Sequence, residues 1–320
     1  MIKKVVFMGT PDFAVGTLKA LIDSKYEVAA VFSQPDKPKG RGKALQMTPV
    51  KAVASEAGIQ VYQPVKIREE QWISVLKELE PDVIVVVAFG QIIPESVLKI
   101  PKYGCINVHA SLLPKYRGAA PIQWAVIDGE KESGVTTMQM DAGLDTGDML
   151  LKETVALDKT ETGGSLFEKL STVGAQLLIR TLEALENGTV KPQKQPVESP
   201  TPYAAMLTKQ QGEVDWNQNA EKIECLIRGL NPWPSAYTHY RGKTLKLWGA
   251  QAVQGDEPFE NVKPGAAVKV TKTELVIQTG SGLLSLKEVQ PEGKKRMAVD
   301  AFLRGYPVEC GECFGCVREQ

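Results

Sequence analysis

The sequence predicts an α/β class: a doubly wound, mostly parallel sheet in the N-terminal half, then a smaller barrel-like β domain. Three observations carry this. Strand-like and helix-like patterns alternate as far as Leu185, as they do when helices cover both faces of a parallel sheet. The run Val83–Ala88 (VIVVVA) is continuously apolar and β-branched, which suits a strand buried on both faces. After a stretch rich in proline, the pattern changes to short strands separated by Gly, Pro and Asp.

Taken in order, Val5–Met8 is an apolar strand that stops at Gly9. Pro11–Asp23 carries Phe13, Ala14, Leu18, Leu21 and Ile22 close to a 3.6-residue period, which predicts a helix. Glu27–Phe32 is a second strand, Gln71–Leu79 a helix, and Gly104–Val108 a further strand. Val135–Met140 and Met149–Ala156 are strand-like, and Ser165–Leu185 has a leucine-rich stripe that ends at Asn187-Gly188. Pro192, Pro196, Pro200 and Pro202 then predict an extended, semi-rigid tether over Val190–Pro202. Beyond it, Asn219–Leu230 reads as a helix, and Thr244–Trp248, Ala267–Val270, Glu274–Gln278 and Leu283–Val289 read as strands. The expected division is a Rossmann-like domain over 1–189, a linker over 190–206 and a β-rich domain over 207–320.

Bulk properties exclude several classes. Lys and Arg total 38 and Asp and Glu total 38, so no net charge drives general polyanion binding, and any such contact must be local. No apolar run approaches the roughly 18 residues of a membrane span. The opening stretch turns polar too early for a secretory signal. Five cysteines, an odd number, suit a reducing cytoplasm.

Candidate chemistry concentrates at strand ends. Asn107 and His109 are two apart on a predicted strand, so they share a face, and they sit where open α/β sheets bind ligands. An imidazole there can move a proton near neutral pH, and an amide beside it can stabilise an oxyanion. His109 is one of only two histidines; a loop histidine bonded to backbone is the plain alternative. Ser111-Leu112-Leu113-Pro114 follows, without the G-x-S-x-G setting of a serine nucleophile. The loop Met140–Asp148 holds Asp141, Asp145 and Asp148. It lacks calcium-loop spacing, but one of its carboxylates could orient His109. Gly9-Thr-Pro-Asp occupies the position of a phosphate loop but lacks the glycine fingerprint, so no nucleotide site is expected. Ser33–Lys51 is a long insertion with Lys37, Lys39, Arg41, Lys43 and Lys51 against Asp36, suited to a phosphate backbone. Arg241, Lys243, Lys246, Lys294, Lys295 and Arg296 form a second basic candidate patch. Cys310, Cys313 and Cys316 fall one ligand short of a closed zinc site, so no metal is expected.

The stretches Asn107-Val-His-Ala-Ser-Leu-Leu-Pro-Lys-Tyr-Arg-Gly-Ala-Ala-Pro121 and Gly134-Val-Thr-Thr-Met-Gln-Met-Asp-Ala-Gly-Leu-Asp145-Thr-Gly-Asp-Met resemble the motifs of the folate-dependent formyltransferase family. The opening Phe7–Ala14, the Gln34–Lys43 loop, Gly229–Pro234 and Phe302–Tyr306 extend the resemblance over nearly the whole chain, to the branch that acts on charged tRNA. The cysteine-rich tail departs from it. The resemblance implies Asn107, His109 and Asp145 as the catalytic set and Ser111, Leu112, Leu113 and Pro114 as the folate-contacting segment. It implies tRNA contact through Lys37, Lys39, Arg41 and Lys43, and an OB-like barrel in the C-terminal domain. The implied co-substrate is 10-formyltetrahydrofolate and the implied acceptor is the amine of initiator methionyl-tRNA, in a cytoplasmic monomer with no membrane partner. The alternative is formylation of a small amine such as a nucleotide or amino sugar.

Overall fold

The structure is a computed structural model that describes residues 1–39, 44–253, 259 and 261–315. Its first half contains β1 (Lys4–Gly9), α1 (Asp12–Ile22), β2 (Glu27–Phe32), β3 (Lys37–Lys39), β4 (Ala44–Gln46), α2 (Pro49–Glu56), β5 (Val61–Tyr62), α3 (Glu70–Leu79), β6 (Val83–Val87), α4 (Glu95–Leu98) and β7 (Cys105–His109). There follow α5 (Pro121–Ile127), β8 (Glu132–Gln139), β9 (Met149–Ala156) and α6 (Gly163–Glu186). The remainder holds α7 (Ala220–Gly229), β10 (Ala236–Tyr240), β11 (Lys243–Val253), β12 (Ala267–Val270), β13 (Leu275–Gln278), β14 (Leu283–Pro291), β15 (Met297–Ala298) and α8 (Val299–Gly305).

The chain forms two compact units. One comprises Met1–Pro121, Glu132–Ala156 and Phe167–Ala204; the other comprises Ile122–Lys131, Leu157–Leu166 and the chain from Ala205 onward.

In the first unit a seven-stranded sheet runs β5-β2-β1-β6-β7-β8-β9. The pairs from β5 through β7 are parallel, whereas β7–β8 and β8–β9 are antiparallel. From β1 the chain passes to β2 on one side and β6 on the other, so the strand order reverses beside Gly9, the usual place for a crevice. Every residue of β6 is buried, as its unbroken β-branched run requires. Val6, Met8, Phe32, Ile84, Val86 and Cys105 pack on one face of the sheet with Ile73, Leu76 and Phe89. Burial pushes the Cys105 thiol up to about 12, which leaves it an inert core group.

The predicted tether is extended and belongs to the first unit. Met149 and Gln193 exchange backbone hydrogen bonds of 2.8 Å each way, and the Ala204 N–H donates to the Arg117 carbonyl at 2.8 Å. The basic insertion contains the β3–β4 hairpin, and α2 begins inside it at Pro49 with Thr48 as its N-cap.

The second unit is built on an antiparallel sheet of order β10-β11-β14-β13-β12, with β15 paired to β14. Along β10 the buried residues Ala236, Thr238 and Tyr240 alternate with Tyr237 and His239. Helix α7 is capped by the Asn219 side chain, which accepts from the Lys222 N–H at 2.8 Å. Among the described residues no helix is long and apolar enough to cross a membrane.

Candidate active site

The last residue of β7 is His109, at the carboxyl end of the parallel part of the sheet, and its side chain is nearly fully buried. Its Nε2 lies 2.9 Å from the Tyr116 carbonyl oxygen. A carbonyl only accepts, so Nε2 carries the hydrogen and donates it. The other ring nitrogen, Nδ1, lies 3.7 Å from Asp145 Oδ2. That separation is electrostatic contact rather than a hydrogen bond. A proton arriving at Nδ1 therefore sits beside a carboxylate that stabilises the imidazolium. Asp145 Oδ2 also accepts the Gly118 N–H at 2.9 Å, which fixes the orientation of the carboxylate.

Three consecutive residues thus hold the pair. Tyr116 engages one side of the ring through its carbonyl, and Gly118 holds the carboxylate that faces the other. Between them, the buried Arg117 donates from Nε to Gln195 Oε1 at 3.0 Å, from Nη1 to the Val197 carbonyl at 3.1 Å and from Nη2 to the Pro196 carbonyl at 2.7 Å. Gly118 has φ +127°, and a Cβ there would lie 2.7 Å from the Ala204 oxygen, so only glycine fits.

Asn107 lies two residues before His109 on β7, opposite Met138 of β8. Its carboxamide is partly buried and has no hydrogen-bond partner among the described residues. A donor amide beside a buried imidazole can meet an oxyanion.

The segment Ser111–Pro114 is locked from below. Thr136 on β8, fully buried, donates from Oγ1 to the Ser111 carbonyl at 2.7 Å and accepts the Leu113 N–H at 3.1 Å. Lys152 donates to the Leu113 carbonyl at 2.6 Å, and burial holds its amine below the usual lysine value. Ser199 donates to the Pro114 carbonyl at 2.9 Å, and the Leu113–Pro114 peptide is cis. Ser111 spends its hydroxyl on the Lys115 carbonyl at 2.6 Å, so it behaves as a turn residue.

The structure brings Asn107, His109, Asp145 and Ser111–Pro114 into one unit. Among the basic residues, Lys37 is exposed on the β3–β4 hairpin and Lys39 ends β3; Arg41 and Lys43 lie outside the described residues. Lys51 is not part of an open basic surface: it bonds Asp36 Oδ2 at 2.6 Å and Gln63 Oε1 at 2.7 Å. In the second unit Arg241 bonds Glu312 at 2.6 Å, and Arg296 pairs with Glu288 while lying over the Trp248 ring. Both are already committed within the chain.

Cys310 is a free thiol and Cys313 is disulfide-bonded, while Cys316 lies outside the described residues. Among the described residues no three His, Cys, Asp or Glu side chains gather as metal ligands would. A depression lined by Lys77, Asp82, Lys99 and Lys102 lies at the amino-terminal edge of the sheet, the opposite end from His109.

Sequence reasoning missed Arg117, Thr136, Lys152 and Gln195. The partners of Arg117 are some 80 positions away, and a strand threonine carries no local sign that its hydroxyl will hold a loop.

Asn107, His109 and Asp145 thus gather near the carboxyl end of the parallel strands of a doubly wound sheet. The formyl transferase model matches residues 3–182, and the formyl transferase C-terminal domain model matches residues 206–307. The chain belongs to the formyl transferase family. It is 57% identical over 311 residues to the methionyl-tRNA formyltransferase of Agathobacter rectalis, covering 97% of this chain and 99% of that one. It is 49% identical over 309 residues to that of Caldanaerobacter subterraneus, covering 96% and 98%. Among solved structures, the sugar 3N-formyl transferase WlaRD shares the fold with a TM-score of 0.65 at 18% identity, over 92% of this chain and 100% of that one.

Proposed function

We propose that this protein transfers the formyl group of 10-formyltetrahydrofolate to the amino group of methionine esterified to initiator tRNA. The observation that carries the reading is the Tyr116–His109–Asp145–Gly118 arrangement, which leaves Nδ1 of a buried histidine facing a fixed carboxylate. Relatives named methionyl-tRNA formyltransferase that match end to end support the choice of acceptor.

Asn107 donates an amide N–H to the formyl oxygen as negative charge collects there. His109 Nδ1 accepts the proton lost by the attacking amine, and Asp145 stabilises the resulting imidazolium. The new carbon–nitrogen bond forms to the amine and the bond to folate N10 breaks. His109 returns the proton to N10, so atoms and charge balance and no covalent enzyme intermediate is needed. Ser111, Leu112, Leu113 and Pro114 supply contact surface to the folate, their four carbonyls being already bonded within the chain. Much of the rate comes from holding an activated donor against the amine.

In this reading residues 1–189 carry catalysis, 190–206 connect, and 207–320 grip the tRNA together with Lys37, Lys39, Arg41 and Lys43. The enzyme acts as a cytoplasmic monomer. The test is an acceptor comparison with 10-formyltetrahydrofolate as donor: charged initiator tRNA, free methionine and an amino sugar nucleotide. Turnover with the charged tRNA alone is expected. Equal or faster turnover of the sugar nucleotide rejects this acceptor.

A further inference from the structure

Asp145 has φ +56°, in the left-handed region that few non-glycine residues adopt, although Asp tolerates it better than most. Such a conformation persists only where the surroundings hold it. The atoms that hold it come from a segment whose composition suggests only a tether.

Gln195 Nε2 donates to the Asp145 carbonyl and to the Gly147 carbonyl, each at 2.8 Å. Its Oε1 accepts from Arg117 Nε at 3.0 Å. The amide is therefore fully committed, and its orientation follows from its partners: two carbonyls can only accept and a guanidinium can only donate. Arg117 in turn grips the two residues that follow Gln195, through the Pro196 and Val197 carbonyls. The 145–147 loop is further confined at Gly147, where a Cβ would lie 1.8 Å from the Gln139 oxygen. The loop therefore has its side chain pinned by Gly118 and its main chain pinned by Gln195.

We propose that Gln195, clamped by Arg117, is a positioning residue for formyl transfer: it fixes the main chain at Asp145 so that the carboxylate faces His109 Nδ1. This rests on the assignment of Asp145 given above. Gln195 acts through Asp145 and touches no reacting atom. Arg117 links the two halves of the device, because it follows the residue that fixes His109 and precedes the one that fixes the carboxylate. Without the amide, the two carbonyls at 145 and 147 lose their donor and the loop can relax toward an unstrained backbone. The carboxylate then moves relative to the ring, and a displacement of about 1 Å at a catalytic group costs up to about 10²-fold.

The experiment uses the full-length protein with charged initiator tRNA and 10-formyltetrahydrofolate, and measures kcat, both KM values and thermal midpoint. The variants are Gln195→Ala, Gln195→Glu, Asp145→Asn and the double variant Gln195→Ala/Asp145→Asn. Gln195→Ala is expected to lower kcat by about 10- to 100-fold, with each KM within about twofold of wild type, since uniform binding is not what it removes. Gln195→Glu keeps the acceptor for Arg117 but turns an oxygen toward the two carbonyls, so it should not restore the rate. It gives a second reading if the alanine variant melts below the assay temperature. In the Asp145→Asn background, Gln195→Ala should add less than about twofold, the non-additivity of groups that act as a unit. If Asp145→Asn is impaired while Gln195→Ala keeps full kcat, or if the two losses multiply, the positioning role is overturned and the catalytic reading stands. If Asp145→Asn itself retains full kcat, the assignment of Asp145 fails and the inference fails with it.

Discussion

Two proline-containing segments of the first unit, both poor in regular pattern, are held in opposite ways. Among its described residues, the basic insertion from Ser33 to Lys51 is bonded to the rest of the unit at its base. There Ser33 and Thr48 share a hydroxyl hydrogen bond of 2.7 Å, and Lys51, Asp36 and Gln63 close a polar ring. Its hairpin carries the exposed residues Lys37 and Leu45, and the exposed Met47 follows it. The 190–204 segment is held along its length: Gln193, Gln195, Pro196, Val197, Ser199, Thr201 and Ala204 each bond the rest of the first unit. The first arrangement presents side chains outward; the second shapes a site. Proline content prevents a helix in both, but it does not say what either one touches.

Removing the clamp should have the largest effect. Arg117→Ala strands the acceptors of Gln195, Pro196 and Val197, and should lower stability by about 3 kcal/mol or more in a denaturant titration. A loss under about 1 kcal/mol would mean that the segment is no better anchored than the hairpin. At the base of the insertion, Thr48→Ala removes the cap that accepts the Lys51 N–H at 3.2 Å and should cost about 1 kcal/mol. An unchanged denaturation midpoint would show that this base is not closed by the cap.

A smaller effect, dependent on pH, is expected from Lys51→Met. The hydrogen bond from Lys51 holds the Asp36 carboxyl below its usual value. A depressed folded-state pKa gives stability that is present above the unfolded value of about 3.9 and lost as pH falls through the lower folded value. The variant should therefore be up to about 1 kcal/mol less stable at pH 7, with the difference closing below pH 4. A difference that persists unchanged in acid would assign it to packing of the lysine stem. The smallest effect on stability is expected from Lys37→Ala, within about 0.5 kcal/mol of wild type. The same change should reduce the salt slope of tRNA binding by about one. An unaltered slope would mean that the tip does not meet phosphate.

Much of the first unit is legible because burial leaves a local signature. Val83–Val87 reads as a doubly covered strand since nothing polar interrupts it, and Glu27–Phe32 and α6 announce themselves by period. His109 is legible as a site candidate because a polar residue ends an apolar strand. Some elements leave no such mark. The hairpin of β3 and β4 hides among glycine, proline and lysine. The two-residue β5 is too short for a pattern, and β10 follows directly on Asn-Pro-Trp-Pro-Ser. Nothing in Glu132–Gln139 distinguishes an antiparallel neighbour from a parallel one, since both faces are buried in either case. Lys51 counts as a basic residue of the insertion until Asp36 is seen beside it. Gln195 is the clearest limit: a carboxamide in a proline-rich stretch acquires meaning only from Asp145, 50 positions away, and from a guanidinium 78 positions away.

In the proposed mechanism His109 is the group that moves the proton. The direct measurement is single-turnover formyl transfer to charged initiator tRNA with folate saturating, for wild type, Asn107→Ala and His109→Ala. Loss of one oxyanion donor in Asn107→Ala should lower the rate by about 10²–10³, and His109→Ala should fall at least as far, with folate affinity little changed in both. A His109→Ala enzyme that transfers formyl at close to the wild-type rate would contradict the assignment.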